Sequence, residues 1–348
     1  MRRTTGGPEG TEILRCVRPV LWRTALVTAL IAPFGGAAAE NDLAVVATIK
    51  PIHSLVAQVL GDAGQPHLLV GGAASPHSYA LKPSDARALN SARVVFRTSE
   101  EIEPFTRKIV SSLPKSVTVV TLADTPGLTL LDKRRGDTFE AHDHGHEHGH
   151  EHGHEHGEAE AHDDENGSET SPVRDGHVWL DPGNAVAMVR EIERALSDAS
   201  PERAGQFKAN ADRAVERIEA LSKRIQLELA PVQGKGFVVF HDAYQYFENR
   251  FGLHAAGAIT VSPEVQPSAK RLSEIRRKIK DLKVVCVFAE PQFKSKLVQT
   301  VLEGTDSKAG TLDPEGASVD PGPDAYEALL TNLAANLKSC LGDGAVPG

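Results

Sequence analysis

The chain has 348 residues, of which 40% are hydrophobic and 24% charged, with a formal net charge of −9 at pH 7. That composition excludes a disordered or fibrous chain and supplies enough apolar sequence for two domains. The acidic balance argues against a nucleic-acid-binding surface, which needs an excess of Lys and Arg, and suits a cationic partner.

Residues 1–39 read as a secretory signal peptide. Arg15, Arg18 and Arg23 form a basic region, residues 25–34 a short apolar run, and Ala37, Ala38 and Ala39 a small-residue cleavage site before Glu40. The apolar run is too short to span a membrane. Cleavage removes Cys16 and leaves Cys286 and Cys340. In an oxidising compartment an even pair favours one disulfide over two buried free thiols.

From residue 43 short apolar runs alternate with amphipathic stretches. Strands are predicted at 43–49, 67–70, 94–96 and 117–122, with helices at 52–60 and 84–89. Strands separated by helices form parallel βαβ units. From 132 to 176 the apolar periodicity disappears and His, Glu, Asp and Gly dominate, so no core can form and a loop is expected. Order returns at His177, and Pro182 starts a helix to about 197. Pro201 opens a longer one to about 230, whose apolar residues Phe207, Ala211, Val215, Ile218, Leu221, Ile225 and Leu229 recur at three- and four-residue steps. At ~1.5 Å per residue that helix reaches roughly 40 Å, enough to cross two domains. A second series follows, with strands at 236–240, 253–260, 284–288 and 310–312 and helices at 243–251, 268–281, 293–302 and 325–341. The expected fold is α/β, with two (βα) lobes, each around a mainly parallel sheet, bridged by one long rigid helix. The lobes cover 40–198, carrying the His- and acid-rich loop 132–176, and 231–348, with 199–230 as the linking helix. A cleft between them is the default ligand site.

The most visible chemistry is a tract in which His142, His144, His146, His148, His150, His152, His154 and His156, followed by His162, alternate with Gly and acidic residues. Imidazole and carboxylate both bind borderline metals, but a flexible backbone gives variable geometry, so the tract reads as an accessory metal loop. A solubilising acidic loop is the plain alternative. Fixed ligands are expected at element ends instead. His77, His241 and Asp313 each follow a predicted strand, and His177 precedes a Trp-Leu-Asp-Pro turn. In open α/β sheets ligands bind beyond the carboxyl ends of the strands. Three neutral imidazoles and a carboxylate suit tetrahedral Zn²⁺, whereas Mn²⁺ favours more oxygen. Glu290 is read either as an additional carboxylate at the cleft or as a structural hydrogen-bond acceptor. His53 is read either as a group lining the cleft or as a plain helix-start residue.

Five segments carry a more specific signal: GAASPHSYALKPS at 72–84, HVWL at 177–180, FHDAY at 240–244, FAEPQF at 288–293 and GTLDP at 310–314. Together they resemble the zinc-type solute-binding proteins of ABC importers, the ZnuA group, in the same order and over nearly the whole mature chain. The resemblance implies a periplasmic, monomeric, non-enzymatic protein that delivers Zn²⁺ to the membrane permease of an ABC importer. It also implies zinc ligands at His77, His177 and His241, and it matches Cys286 and Cys340 to the family's disulfide positions. One position departs. Some relatives carry a carboxylate just before the first ligand, and here Pro76 stands there, leaving the fourth place to Asp313 or water. Competing readings are a zinc buffer or chaperone working mainly through the His tract, a manganese binder, and a zinc hydrolase using Glu290 or Asp242 as base. The hydrolase is disfavoured because no His-Glu-x-x-His, Gly-x-Ser-x-Gly or phosphate-loop motif occurs.

Overall fold

The structure is a computed structural model that describes residues 43–134, 139, 173–260, 262–294 and 296–342. The expected signal peptide with Cys16, and the tract histidines from His142 to His162, lie outside the described residues. Among the described residues no helix is long and apolar enough to cross a membrane.

The first sheet contains β1 (Val45–Ile49), β2 (His67–Val70), β3 (Val94–Arg97) and β4 (Thr118–Thr121), all parallel in the order β2-β1-β3-β4. The second contains β5 (Phe237–His241), β6 (Ala255–Thr260), β7 (Cys286–Ala289) and β8 (Lys308–Thr311), parallel in the order β6-β5-β7-β8. The two orders are the same permutation of four consecutive strands, so each sheet has a switch point between its first and third strands, where crossovers leave in opposite directions.

Helices α1 (Lys50–Leu60), α2 (Pro83–Ser91) and α3 (Thr106–Ser112) belong to the first lobe, and α6 (Gln245–Phe251), α7 (Ala269–Asp281) and α8 (Lys296–Leu302) to the second. Helix α3 is not among the helices expected from the sequence. That helix has only seven residues, of which only Thr106 is buried, so it has no apolar stripe to betray it. Helix α4 (Pro182–Ala199) starts where expected because the Asp181 carboxylate accepts from the Gly183 N–H, a standard N-cap.

The long helix α5 (Ala204–Leu229) has 26 residues, about 39 Å at ~1.5 Å each. It buries Phe207, Ala211, Ala214, Ile218, Leu221, Ile225 and Leu229 against α4 and α1 of one lobe and against α9 (Ala325–Leu341) of the other. One apolar core therefore runs from β1 through α5 to α9, and a smaller one lies between the second sheet and α7 and α8. Polar ties cross the same boundary. Lys50 Nζ donates to the carbonyls of Gly316, Ala317 and Val319, and Trp179 Nε1 donates to Pro314 O at 2.9 Å. Cys286 and Cys340 form a disulfide that pins α9 to β7.

One buried acid makes stability depend on pH. Glu103 is fully enclosed and accepts from Thr48 Oγ1 and the Thr98 N–H. Burial pushes its carboxyl up to about 7, against those hydrogen bonds. Because the folded-state value lies above the unfolded one, the folded protein binds the extra proton between roughly pH 4.5 and 7. Its contribution is thus fully present below that window and is lost as pH rises through it, by about 3 kcal/mol. Glu103→Gln is expected to flatten this part of the stability curve, measured by urea unfolding at pH 5 and pH 7.5. An unchanged slope would refute it.

Candidate metal centre

Three elements deliver the three histidines. His77 lies in a single tight turn, Pro76–Ser78, beyond β2. His177 precedes the turn Val178–Leu180, which feeds α4. His241 is the last residue of β5 itself, one place earlier than a loop position, at the switch point of the second sheet. Their ring centroids lie 5.3–5.8 Å apart, and one ligand nitrogen from each falls within 4.8 Å of the others. All three line a cleft of about 250 Å³, together with Glu101, Lys133, Arg134, Asp175, Asp242 and Glu264.

The ring orientations are set by carboxylates. Asp175 Oδ1 accepts from His177 Nδ1 at 2.7 Å and from the His177 backbone N–H at 3.0 Å. Both Glu290 oxygens lie 2.8 Å from His241 Nδ1. Glu290 reaches His241 because β7 pairs directly with β5, so the residue just past β7 stands beside the end of β5. With each Nδ1 holding a proton toward its carboxylate, the Nε2 lone pairs point into the cleft. His241 Nε2 lies 3.4 Å from His177 Nε2, and His77 Nε2 is buried with no hydrogen-bond partner. A side chain at Gly176 would strike Ile102 and Ser99, so only glycine lets the chain pass between Asp175 and His177 here.

Burial, then the neighbouring His177 and His241, pushes the His77 imidazole down to about 2. Burial and His241 likewise hold His177 well below the usual histidine range. Burial acts the same way on His241, but Glu290, with Asp242 and Glu264, outweighs it and keeps that ring above its ordinary value. Three imidazoles gathered at one point, two of them held below the usual histidine range and two backed by carboxylates, form a receptor for a cation that prefers nitrogen.

Two expected members of the site stand elsewhere. Asp313 does not join the imidazoles. Its carboxylate is engaged in its own loop, accepting from Gln292 Nε2 at 3.1 Å and from Ser318 N and Oγ at 3.1 and 3.2 Å. His53 does not line the cleft. Because β1 runs straight into α1, His53 falls in the first helical turn, where its Nε2 meets the Pro66 carbonyl at 3.0 Å. Glu290 does take the hydrogen-bonding place beside His241. Asp175, by contrast, is missed by the sequence reading. It closes an acid-rich stretch of many carboxylates, and only the Asp-Gly-His spacing marks it.

Two parallel sheets, a long bridging helix and a nitrogen-lined cleft define a metal-binding receptor of the solute-binding class. Comparison with known families narrows this. The chain belongs to the family of zinc-uptake complex component A, periplasmic (ZnuA), whose model matches residues 45–340. It is 48% identical over 324 residues to the high-affinity zinc uptake system protein ZnuA of Brucella abortus, covering 91% of this chain and 97% of the relative. The protein of the same description from Paracoccus denitrificans is 40% identical over 86% of this chain and 91% of its own length. Among solved structures, a ZnuA crystal structure superposes with a TM-score of 0.69 at 21% identity, covering 86% of this chain and 98% of the other, which establishes the fold.

Proposed function

We propose that this protein captures Zn²⁺ outside the cytoplasm and hands it to the permease of an ABC-type importer, with His77, His177 and His241 as the zinc ligands. The observation that carries this reading is the 3.4 Å separation of the His177 and His241 Nε2 atoms, each backed by a carboxylate on Nδ1. Tetrahedral zinc with Zn–N bonds of about 2.0–2.1 Å needs ligand atoms roughly 3.3–3.4 Å apart along each edge. Two ring nitrogens that face each other so closely need a proton or a metal ion between them, and zinc fits that spacing. With Asp313 held by Ser318 and Gln292, a water completes the tetrahedron in the place that Pro76 leaves open.

The family's place in a zinc-uptake complex supports a membrane permease as partner and the periplasm as compartment. The continuous core through α5 and α9 favours release by small shifts at the cleft rather than by wide hinge motion. The His tract lies in the chain between Arg134 and Asp175, which both line the cleft, and acts as an auxiliary collector. A zinc-soaked crystal measured on both sides of the zinc absorption edge is expected to show one anomalous peak bonded to the three Nε2 atoms. No peak at that position at saturating zinc, whatever the His tract holds, would overturn the assignment.

A further inference from the structure

The cleft wall holds a carboxylate that the imidazole cluster does not use. Asp242 follows His241 directly and lines the same cleft, and its charge is felt by both His177 and His241. An ionised oxygen beside three nitrogens is the donor that harder cations seek. It is occupied, however. Arg134 Nε donates to Asp242 Oδ1 and Oδ2 at 3.0 and 3.1 Å, and Nη2 also donates to this carboxylate. The same guanidinium donates to both oxygens of Glu248 at 2.9 Å. The three side chains are only 21%, 12% and 4% exposed, so solvent does not compete strongly for these bonds.

Arg134 is itself anchored. It sits at the start of the His-rich insertion, where Lys133 N–H donates to Val173 O and Asp175 N–H to Leu131 O, each at 2.9 Å. Tyr246 of α6 braces the same stem, its hydroxyl accepting from Leu131 N–H at 3.0 Å and donating to Asp175 O at 2.8 Å. A guanidinium fork clamped between two carboxylates fixes their direction as well as neutralising charge.

We propose that Arg134 determines metal specificity: by holding the Asp242 carboxylate away from the imidazole cluster, it keeps the centre nitrogen-rich and so favours Zn²⁺ over oxygen-seeking cations such as Mn²⁺. This rests on the zinc-capture reading and names the residue that sets its selectivity. The geometry supplies the means, because removing the fork frees an anionic oxygen on the residue next to a ligand. It also predicts a specific dependence: the change must act through Asp242 and not through general loosening of the stem.

The test measures Zn²⁺ and Mn²⁺ dissociation constants by competition with a chromophoric chelator for the wild type, Arg134→Gln, and Arg134→Gln combined with Asp242→Asn. Arg134→Gln is expected to raise the Mn²⁺ affinity relative to Zn²⁺ by roughly tenfold, and the added Asp242→Asn to remove that gain. A ratio unchanged in Arg134→Gln, or a gain that survives in the double variant, overturns the proposal. Should Arg134→Gln not melt cooperatively, Arg134→Lys takes its place. It keeps the charge but not the fork, so a smaller gain, again abolished by Asp242→Asn, is expected, and no gain overturns the proposal. Failure of the wild-type protein to bind zinc tightly would instead defeat the capture reading on which this one stands.

Discussion

Replacing His241 by alanine is expected to weaken zinc binding by roughly 100- to 1000-fold. Structural zinc sites with four protein ligands are worth on the order of 10–16 kcal/mol, so a single imidazole, here one of three, accounts for about 3–4 kcal/mol, or two to three powers of ten. His241 is the imidazole of the cluster most completely fixed by its surroundings. It ends a fully buried strand, and both Glu290 oxygens hold its Nδ1. Glu290→Gln is therefore expected to act in the same direction but less, by about 10- to 100-fold, the usual cost of removing a partner behind a ligating imidazole. Trp179 provides the readout. Its ring centroid lies 5.3 Å from that of His177, and the chain's other tryptophan, Trp22, falls in the expected signal peptide. Zinc titrations followed by tryptophan emission, or by calorimetry, would then rank wild type above Glu290→Gln above His241→Ala. Tight binding retained in His241→Ala would sink the ligand assignment.

Two of the three clustered histidines are legible in the sequence for a physical reason. Histidine at the carboxyl end of a buried strand or in the turn beyond it is placed by the backbone, and the strands announce themselves by apolar runs. His77 after β2 and His241 at the end of β5 are found in this way. The strand pattern also gives the parallel sheets and the long helix, because a 26-residue amphipathic stretch has few alternatives. The hydrogen-bonding partners are less legible. Glu290 stands out by its place after a strand, but whether it faces metal or imidazole depends on which strands are neighbours, and strand order is set by tertiary packing. Asp313 shows the limit from the other side. It too follows a strand, yet Ser318 and Gln292 bond its oxygens, and a loop's internal hydrogen bonds leave no periodicity to read. Arg134 is invisible for a similar reason: its partners Asp242 and Glu248 lie more than a hundred residues away.

Removing the disulfide by Cys286→Ala with Cys340→Ala is expected to lower stability by about 4 kcal/mol. The two cysteines are 54 residues apart, and closing a loop of that length in the unfolded chain costs about that much entropy. Alanine is the cleaner replacement because both sites are buried, 0% and 3% exposed, and a serine hydroxyl there would need a partner. For a globular part of this size the midpoint temperature is expected to fall by roughly 6–7 °C. Zinc affinity is expected to change far less. Cys286 opens β7 while Glu290 lies just past its other end, and between them β7 is held on both sides by β5 and β8. That ladder keeps Glu290 beside His241 once the protein is folded, whatever happens to α9. Thermal melts with and without zinc separate the two effects, since ligand stabilisation depends only on concentration and affinity. The variant should melt lower than wild type by a similar interval in both conditions. A variant that melts with the wild type would show that the crosslink contributes nothing. A zinc-induced shift that disappears would show that α9 holds the metal centre in place through β7.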